Sequence, residues 1–180
     1  MKKYISELIG TFILSLVVAL AVGGGAFSIS IPVLAAIIIG IFFYTIGGIS
    51  GAHLNPAVTI AMIATKEIEG KQGIAYLASQ FIGGAFALVV AGMFNLSSNL
   101  PSTSVSMGSG IAEAVGAFVF AFGVGAVYYK KVNSTISGIV VGMSFIIGVS
   151  IAGLLGSYGF INPSISLASG VFDMFYLLGP

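Results

Sequence analysis

Gly51-Ala52-His53-Leu54-Asn55-Pro56-Ala57-Val58-Thr59 lies inside an uncharged run, residues 29–65, in which His53 is the one titratable side chain apart from Tyr44. A membrane-crossing helix takes about 20 apolar residues, so this run is too long for a single span. Asparagine is a favoured helix N-cap and proline a favoured first helical residue, so Asn55-Pro56 reads as the start of a helix within the run. The same device recurs further on. Residues 135–172 are again uncharged and too long for one span, and contain Ile161-Asn162-Pro163-Ser164. One Asn-Pro pair is an ordinary cap or turn; two, each deep in an over-long apolar run, are not. Each run reads as a full span followed by a loop that dips into the membrane and returns as a half-helix. Irregular backbone at membrane depth is tolerated only where it is buried or lines a wet cavity, so both Asn-Pro sites are expected to face a pore.

Further apolar stretches flank these two: residues 8–27, 73–96, and 107–129, the last interrupted by Glu113. The fold class expected is an all-α membrane protein. Composition agrees: 58% of the 180 residues are hydrophobic, 6% are charged, and mean hydropathy is +1.16. A soluble domain would carry roughly a quarter charged residues. There are six lysines, no arginine and five acids, for a net charge of +1, which leaves no basic face for nucleic acid. Zero cysteines exclude thiolate chemistry and disulfides, and a lone histidine makes no metal or catalytic set. No enzyme activity, metal or cofactor is expected. The 26 glycines suit close helix packing in lipid.

Lysines occur in three pairs, Lys2/Lys3, Lys66/Lys71 and Lys130/Lys131, and the loops near 23–31, 95–106 and 157–161 carry none. Strict alternation with all three pairs in the cytoplasm satisfies the positive-inside rule, which places the N-terminus inside. Short loops suit a prokaryotic inner membrane. Lys-Lys before an apolar run also fits a signal peptide, but Glu7 within it and the later recurrence of the segment speak for a span.

That recurrence is an internal repeat. Ser6-Glu7-Leu8-Ile9-Gly10-Thr11-Phe12 matches Ala112-Glu113-Ala114-Val115-Gly116-Ala117-Phe118, and Leu54-Asn55-Pro56-Ala57 matches Ile161-Asn162-Pro163-Ser164. The glutamate-to-asparagine spacing is 48 in one copy and 49 in the other. The division is a single channel domain with repeat 1 at about 1–94, a Ser-rich linker at 95–106 and repeat 2 at about 107–180. An odd number of spans per copy inverts the second half. The two half-helices would then meet N-terminus to N-terminus near the midplane, positive dipole ends together. A cation or hydronium would be repelled and a neutral molecule would not. Two side-chain amides donating to one oxygen would orient it and interrupt a proton wire. Glu7 and Glu113 sit at matched depth in the first span of each half, where an ionisable group is a functional candidate; one role open to them is support of the re-entrant loops, whose unpaired amides need partners at that depth. A proton relay is the competing role.

These motifs, together with Tyr76-Leu77-Ala78-Ser79-Gln80-Phe81-Ile82-Gly83-Gly84-Ala85, resemble the aquaporin and aquaglyceroporin family over nearly the whole chain. The resemblance implies an aquaporin-like bundle of six spans and two half-helices in the lipid bilayer, a homotetramer with one pore per subunit, and passage of water or small neutral solutes. Asn55 and Asn162 would form the central filter, Glu7 and Glu113 would each bury a carboxylate against a re-entrant loop's backbone and hold it in place, and Gln80 and His53 would brace the loops; His53 as pore liner or pH sensor stays open. Applying the family's spacing without gaps puts the outer constriction on Ala35, Ser150, Gly159 and Ile165. The family normally has an arginine at that last position and an aromatic and a histidine at the first two in water-selective members. A wider, arginine-free constriction is therefore expected. Ser166 replaces the aspartate usual in glycerol-conducting members. Residues 173–180 resemble the start of the family's sixth span, after which the sequence stops, so only five full spans are expected; the chain reads as a fragment, the alternative being a last helix supplied otherwise. The alternatives are an ion- or proton-coupled transporter with an inverted repeat, or a non-conducting structural member.

Overall fold

A computed structural model describes residues 1–24, 28–94 and 106–171. The linker expected at 95–106, Ser106 excepted, and the sixth-span start expected at 173–180 fall outside them. Among the described residues the regular elements are all helical. They are α1 (Lys2–Val22), α2 (Ile31–Ser50), α3 (Pro56–Ala64), α4 (Gly70–Gly92), α5 (Met107–Tyr128), a 3-10 turn (Ser134–Ile136), α6 (Ser137–Leu154) and α7 (Pro163–Ala168). Five of them, with the 3-10 turn counted into α6, are long and apolar enough to cross a membrane. At 1.5 Å per residue α3 is about 14 Å long and α7 about 9 Å, far short of a bilayer's roughly 30 Å core. These are the two half-helices.

The glutamates of the spans face inward, while many large apolar residues face outward, as lipid demands. On α1 the buried set Glu7, Gly10, Thr11, Leu14, Ser15, Val18 and Ala19 recurs every three or four residues, one helix face. Its opposite face exposes Ile5 and Ile9. On α5 Glu113, Gly116, Ala117 and Phe120 are buried while Phe118 and Phe122 are exposed.

Small residues set the helix spacing. A Cβ added to Gly116 of α5 would lie 2.5 Å from the Gly148 carbonyl of α6, and one added to Gly148 would lie 2.5 Å from the Gly116 carbonyl. Gly83 of α4 meets the Leu8 carbonyl of α1 in the same way, at 2.6 Å. With lipid as solvent, such backbone approach is the main source of helix cohesion. α1 packs on α4 and α2, α5 on α6, α2 on α6, and α7 lies against α4 and α1.

The lysine pairs gather on one face. Lys3 at the start of α1 hydrogen-bonds Gln72 at the start of α4, and Lys3 and Tyr128, the last residue of α5, line one cavity.

Candidate functional site

The half-helices meet at their N-termini. Asn55 caps α3 by accepting from the Ala57 N–H at 2.8 Å, and Asn162 caps α7 by accepting from the Ser164 N–H at 3.0 Å. Each amide nitrogen then crosses the junction: Asn55 Nδ2 donates to the Ile161 carbonyl and Asn162 Nδ2 to the Leu54 carbonyl, both at 2.9 Å. An amide has two N–H donors, so each asparagine has one more to offer a passing oxygen. Leu54 and Ile161, just before the asparagines, have φ of 48° and 44°. Positive φ is unusual for a bulky or β-branched residue and needs the surroundings to hold it.

The glutamates provide that hold. Glu7 accepts from the backbone N–H of His53 at 3.0 Å and of Leu54 at 2.8 Å, and from the Gln80 amide at 2.8 Å. Glu113 accepts from the N–H groups of Gly159 and Phe160 through one oxygen and of Ile161 through the other. Each carboxylate thus binds the loop that leads into its own half-helix. Gln80 also reaches Thr59, and Thr59 reaches His53 Nδ1 at 3.1 Å. His53 Nε2 lies 2.9 Å from the Tyr128 hydroxyl, and the Tyr76 hydroxyl donates to the Ser50 carbonyl at 2.8 Å. Glu7, His53, Thr59 and Gln80 form one buried network. Thr59, Tyr76 and Tyr128 were not singled out from the sequence. Thr59 alone had a signal, four residues after Asn55 and so on the same face of α3.

Two cavities lie at the ends of this arrangement. One, of about 310 Å³, opens away from the lysine face and is lined by Val18, Ala35, Phe145, Val149, Gly159 and Ile165 among others. Ala35, Gly159 and Ile165 are three of the four constriction positions expected from spacing. Ser150 is not among the lining residues: it is exposed on α6, with its hydroxyl donating to the Ile146 carbonyl. Val149, one residue earlier, lines the cavity in its place. The other cavity, of about 500 Å³, is on the lysine side and is lined by Lys3, Phe43, Ser50, Gly51, Gln72, Tyr76 and Tyr128 among others. Among the described residues no three His, Cys, Asp or Glu side chains cluster as a metal site would need.

Residues 1–176 match the family model for the major intrinsic protein family. The chain belongs to that family. As a member it is a multi-pass membrane channel for water or small solutes and not an enzyme. Relatives include the glycerol uptake facilitator protein-like 6 of Lactiplantibacillus plantarum, 32% identical over 96% of this chain and 84% of the relative. The probable aquaporin AqpM of Archaeoglobus fulgidus is 28% identical over 91% of this chain and 78% of its own length. The crystal structure of the aquaglyceroporin from Plasmodium falciparum shares the fold at a TM-score of 0.68, with 20% sequence identity, covering 99% of this chain and 88% of that one.

Proposed function

We propose that this chain conducts small uncharged solutes, water among them, passively through a pore whose outer mouth is wide and free of arginine. The supporting observation is the lining of the 310 Å³ cavity beside α7. Ile165, three residues after Asn162, contributes there with Ala35, Val149, Phe145 and Gly159, and no charged side chain is among the lining residues. A single water needs about 10–15 Å³ of such space, so the mouth takes more than one. Pore width and lining groups set selectivity, and this lining discriminates by size and not by charge. Rejection of ions is left to the junction of the half-helices, where the second N–H of Asn55 and of Asn162 favours an oxygen acceptor over a cation.

The N-terminus and the three lysine pairs face the cytoplasm of a cell whose inner membrane holds the protein; the lysine distribution supports this. The chain divides into repeats at about 1–94 and 107–180 joined by 95–106, supported by the matching Glu7 and Glu113 bonds to the two loops. Four copies assemble with one pore each, as the family resemblance suggests.

The test is stopped-flow light scattering on proteoliposomes, comparing water, glycerol and urea flux for the wild type and Ile165→Arg. Solute uptake above empty liposomes, lowered by the arginine, is the expected result. Flux that saturates and follows an ion gradient would point to a coupled transporter. No flux from folded protein would leave a structural member.

A further inference from the structure

The two mouths differ in charge. No charged side chain is among the residues lining the outer cavity of about 310 Å³. The lysine-side cavity, of about 500 Å³, has one, Lys3. Lys3 stands in the first turn of α1 and is part-buried, whereas Lys2 beside it is exposed. A chain of neutral groups holds its ammonium. Lys3 Nζ donates to Gln72 Oε1, Gln72 Nε2 donates to the Tyr76 hydroxyl at 3.1 Å, and that hydroxyl donates to the Ser50 carbonyl at 2.8 Å. All four residues line the cavity. The chain starts on α1, runs along α4 and ends at the last residue of α2, where the loop to Asn55 begins. The Tyr4 ring, its centroid 5.4 Å from Nζ, adds a cation–π contact. None of these partners is anionic, so the charge is left uncompensated in the cavity wall. The other charged residues of this face, Lys66, Glu67, Glu69, Lys71, Lys130 and Lys131, are exposed, and none of them lines the cavity.

We propose that Lys3 is a charge-selecting residue of the pore: its ammonium holds monovalent cations out of the lysine-side mouth while admitting neutral solutes, a task for which the outer mouth has no charged group. The Debye length at physiological ionic strength is about 8 Å, so a fixed charge on the wall of a cavity of about 500 Å³ is felt across it. A cleft lined by one sign of charge enriches the opposite sign and depletes its own. Cation leak over the half-helix junction scales with the cation concentration at its foot, so Lys3 lowers that leak without touching the junction. Neutral solutes are not depleted and pass as before. Gln72 is a positioning residue, since its bond to Lys3 keeps the ammonium over the cavity. This inference rests on the channel reading and adds to the junction a second place where ions are rejected.

The test uses proteoliposomes of the full chain, with water and glycerol flux read by light scattering and sodium entry by an entrapped sodium-sensitive dye. The forms are wild type, Lys3→Arg, Lys3→Gln and Lys3→Glu. Lys2→Glu, an equal change of charge at the exposed neighbour, is the control. Water flux is expected to be the same in all, which also shows that each form is folded. Sodium entry is expected to rise several-fold in Lys3→Glu and less in Lys3→Gln, and to stay at the wild-type value in Lys3→Arg and Lys2→Glu. Raising the ionic strength on both sides with choline chloride screens a fixed charge, and is expected to shrink the Lys3→Glu excess; a mouth merely loosened by the substitution would keep it. Sodium entry unmoved in a water-conducting Lys3→Glu, raised equally by Lys2→Glu, or raised by an amount that salt does not change would overturn the assignment and leave the channel reading standing. Absence of water and glycerol flux from every form would overturn the channel reading and this inference with it.

Discussion

The Asn55 side-chain nitrogen donates to the carbonyl of Ile161, the residue before Asn162, and Asn162 donates to the carbonyl of Leu54, the residue before Asn55, both at 2.9 Å. Each asparagine therefore ties the start of its own half-helix to the bend entering the other. The junction of the half-helices is held by these bonds, so a change that alters one asparagine is felt at both ends.

Asn55→Asp separates the two tasks. It keeps the oxygen that caps the Ala57 N–H and turns the donor facing the Ile161 carbonyl into an acceptor. Leaving a buried carbonyl without its donor costs about 1–3 kcal/mol. The thermal midpoint of purified Asn55→Asp in detergent is expected below that of the wild type. An unchanged midpoint would show that the crossing bonds contribute nothing to stability.

Glu7→Gln and Glu113→Gln test support against proton relay. Each substitution turns one acceptor oxygen into a donor facing a backbone N–H of its loop, again about 1–3 kcal/mol for the group left unpaired. Both variants are expected to have lowered thermal midpoints. Solute flux through wild type and folded variants is expected not to acidify vesicles loaded with a pH-sensitive dye. Solute-driven acidification that disappears in either variant would revive the proton-coupled transporter.

The half-helices and their glutamates were legible because each is a polar or helix-starting residue against an apolar background, and each occurs twice. Constriction residues were less so. A shift of one position turns a helix by about 100°, and that is the difference between exposed Ser150 and cavity-lining Val149. Phe145 and Val149 line the cavity, whereas Met143 and Ile147 of the same helix are exposed; by residue type the two pairs are alike. Tyr128 was illegible for another reason. It precedes Lys130 and Lys131 as an interfacial aromatic would, and its partner His53 is 75 residues away.

Val149→Phe and Ser150→Phe decide which of the two positions lines the outer mouth. A phenyl ring at 149 enters the 310 Å³ cavity, whereas at 150 it extends from an exposed position. Glycerol flux is expected to fall in Val149→Phe, water flux to fall less, and Ser150→Phe to behave as wild type, all in proteoliposomes at equal protein content. The reverse pattern would place Ser150, and not Val149, at the constriction.

Gly148→Ala carries a helix contact into the junction of the half-helices. The new methyl would lie 2.5 Å from the Gly116 carbonyl and 2.9 Å from the Ile161 side chain. Ile161 is also the residue whose carbonyl binds Asn55, so crowding here pushes α5, α6 and the loop before α7 apart together. Overpacking of this kind costs about 1–3 kcal/mol. Gly153, on the same helix, has open space where its Cβ would be, so Gly153→Ala is the matched control. Thermal midpoint and water flux are expected to fall together in Gly148→Ala and to stay at wild-type values in Gly153→Ala. Equal midpoints for the two variants would mean that the close approach of Gly116 and Gly148 relaxes freely, and that the junction of the half-helices is not coupled to helix spacing through Ile161.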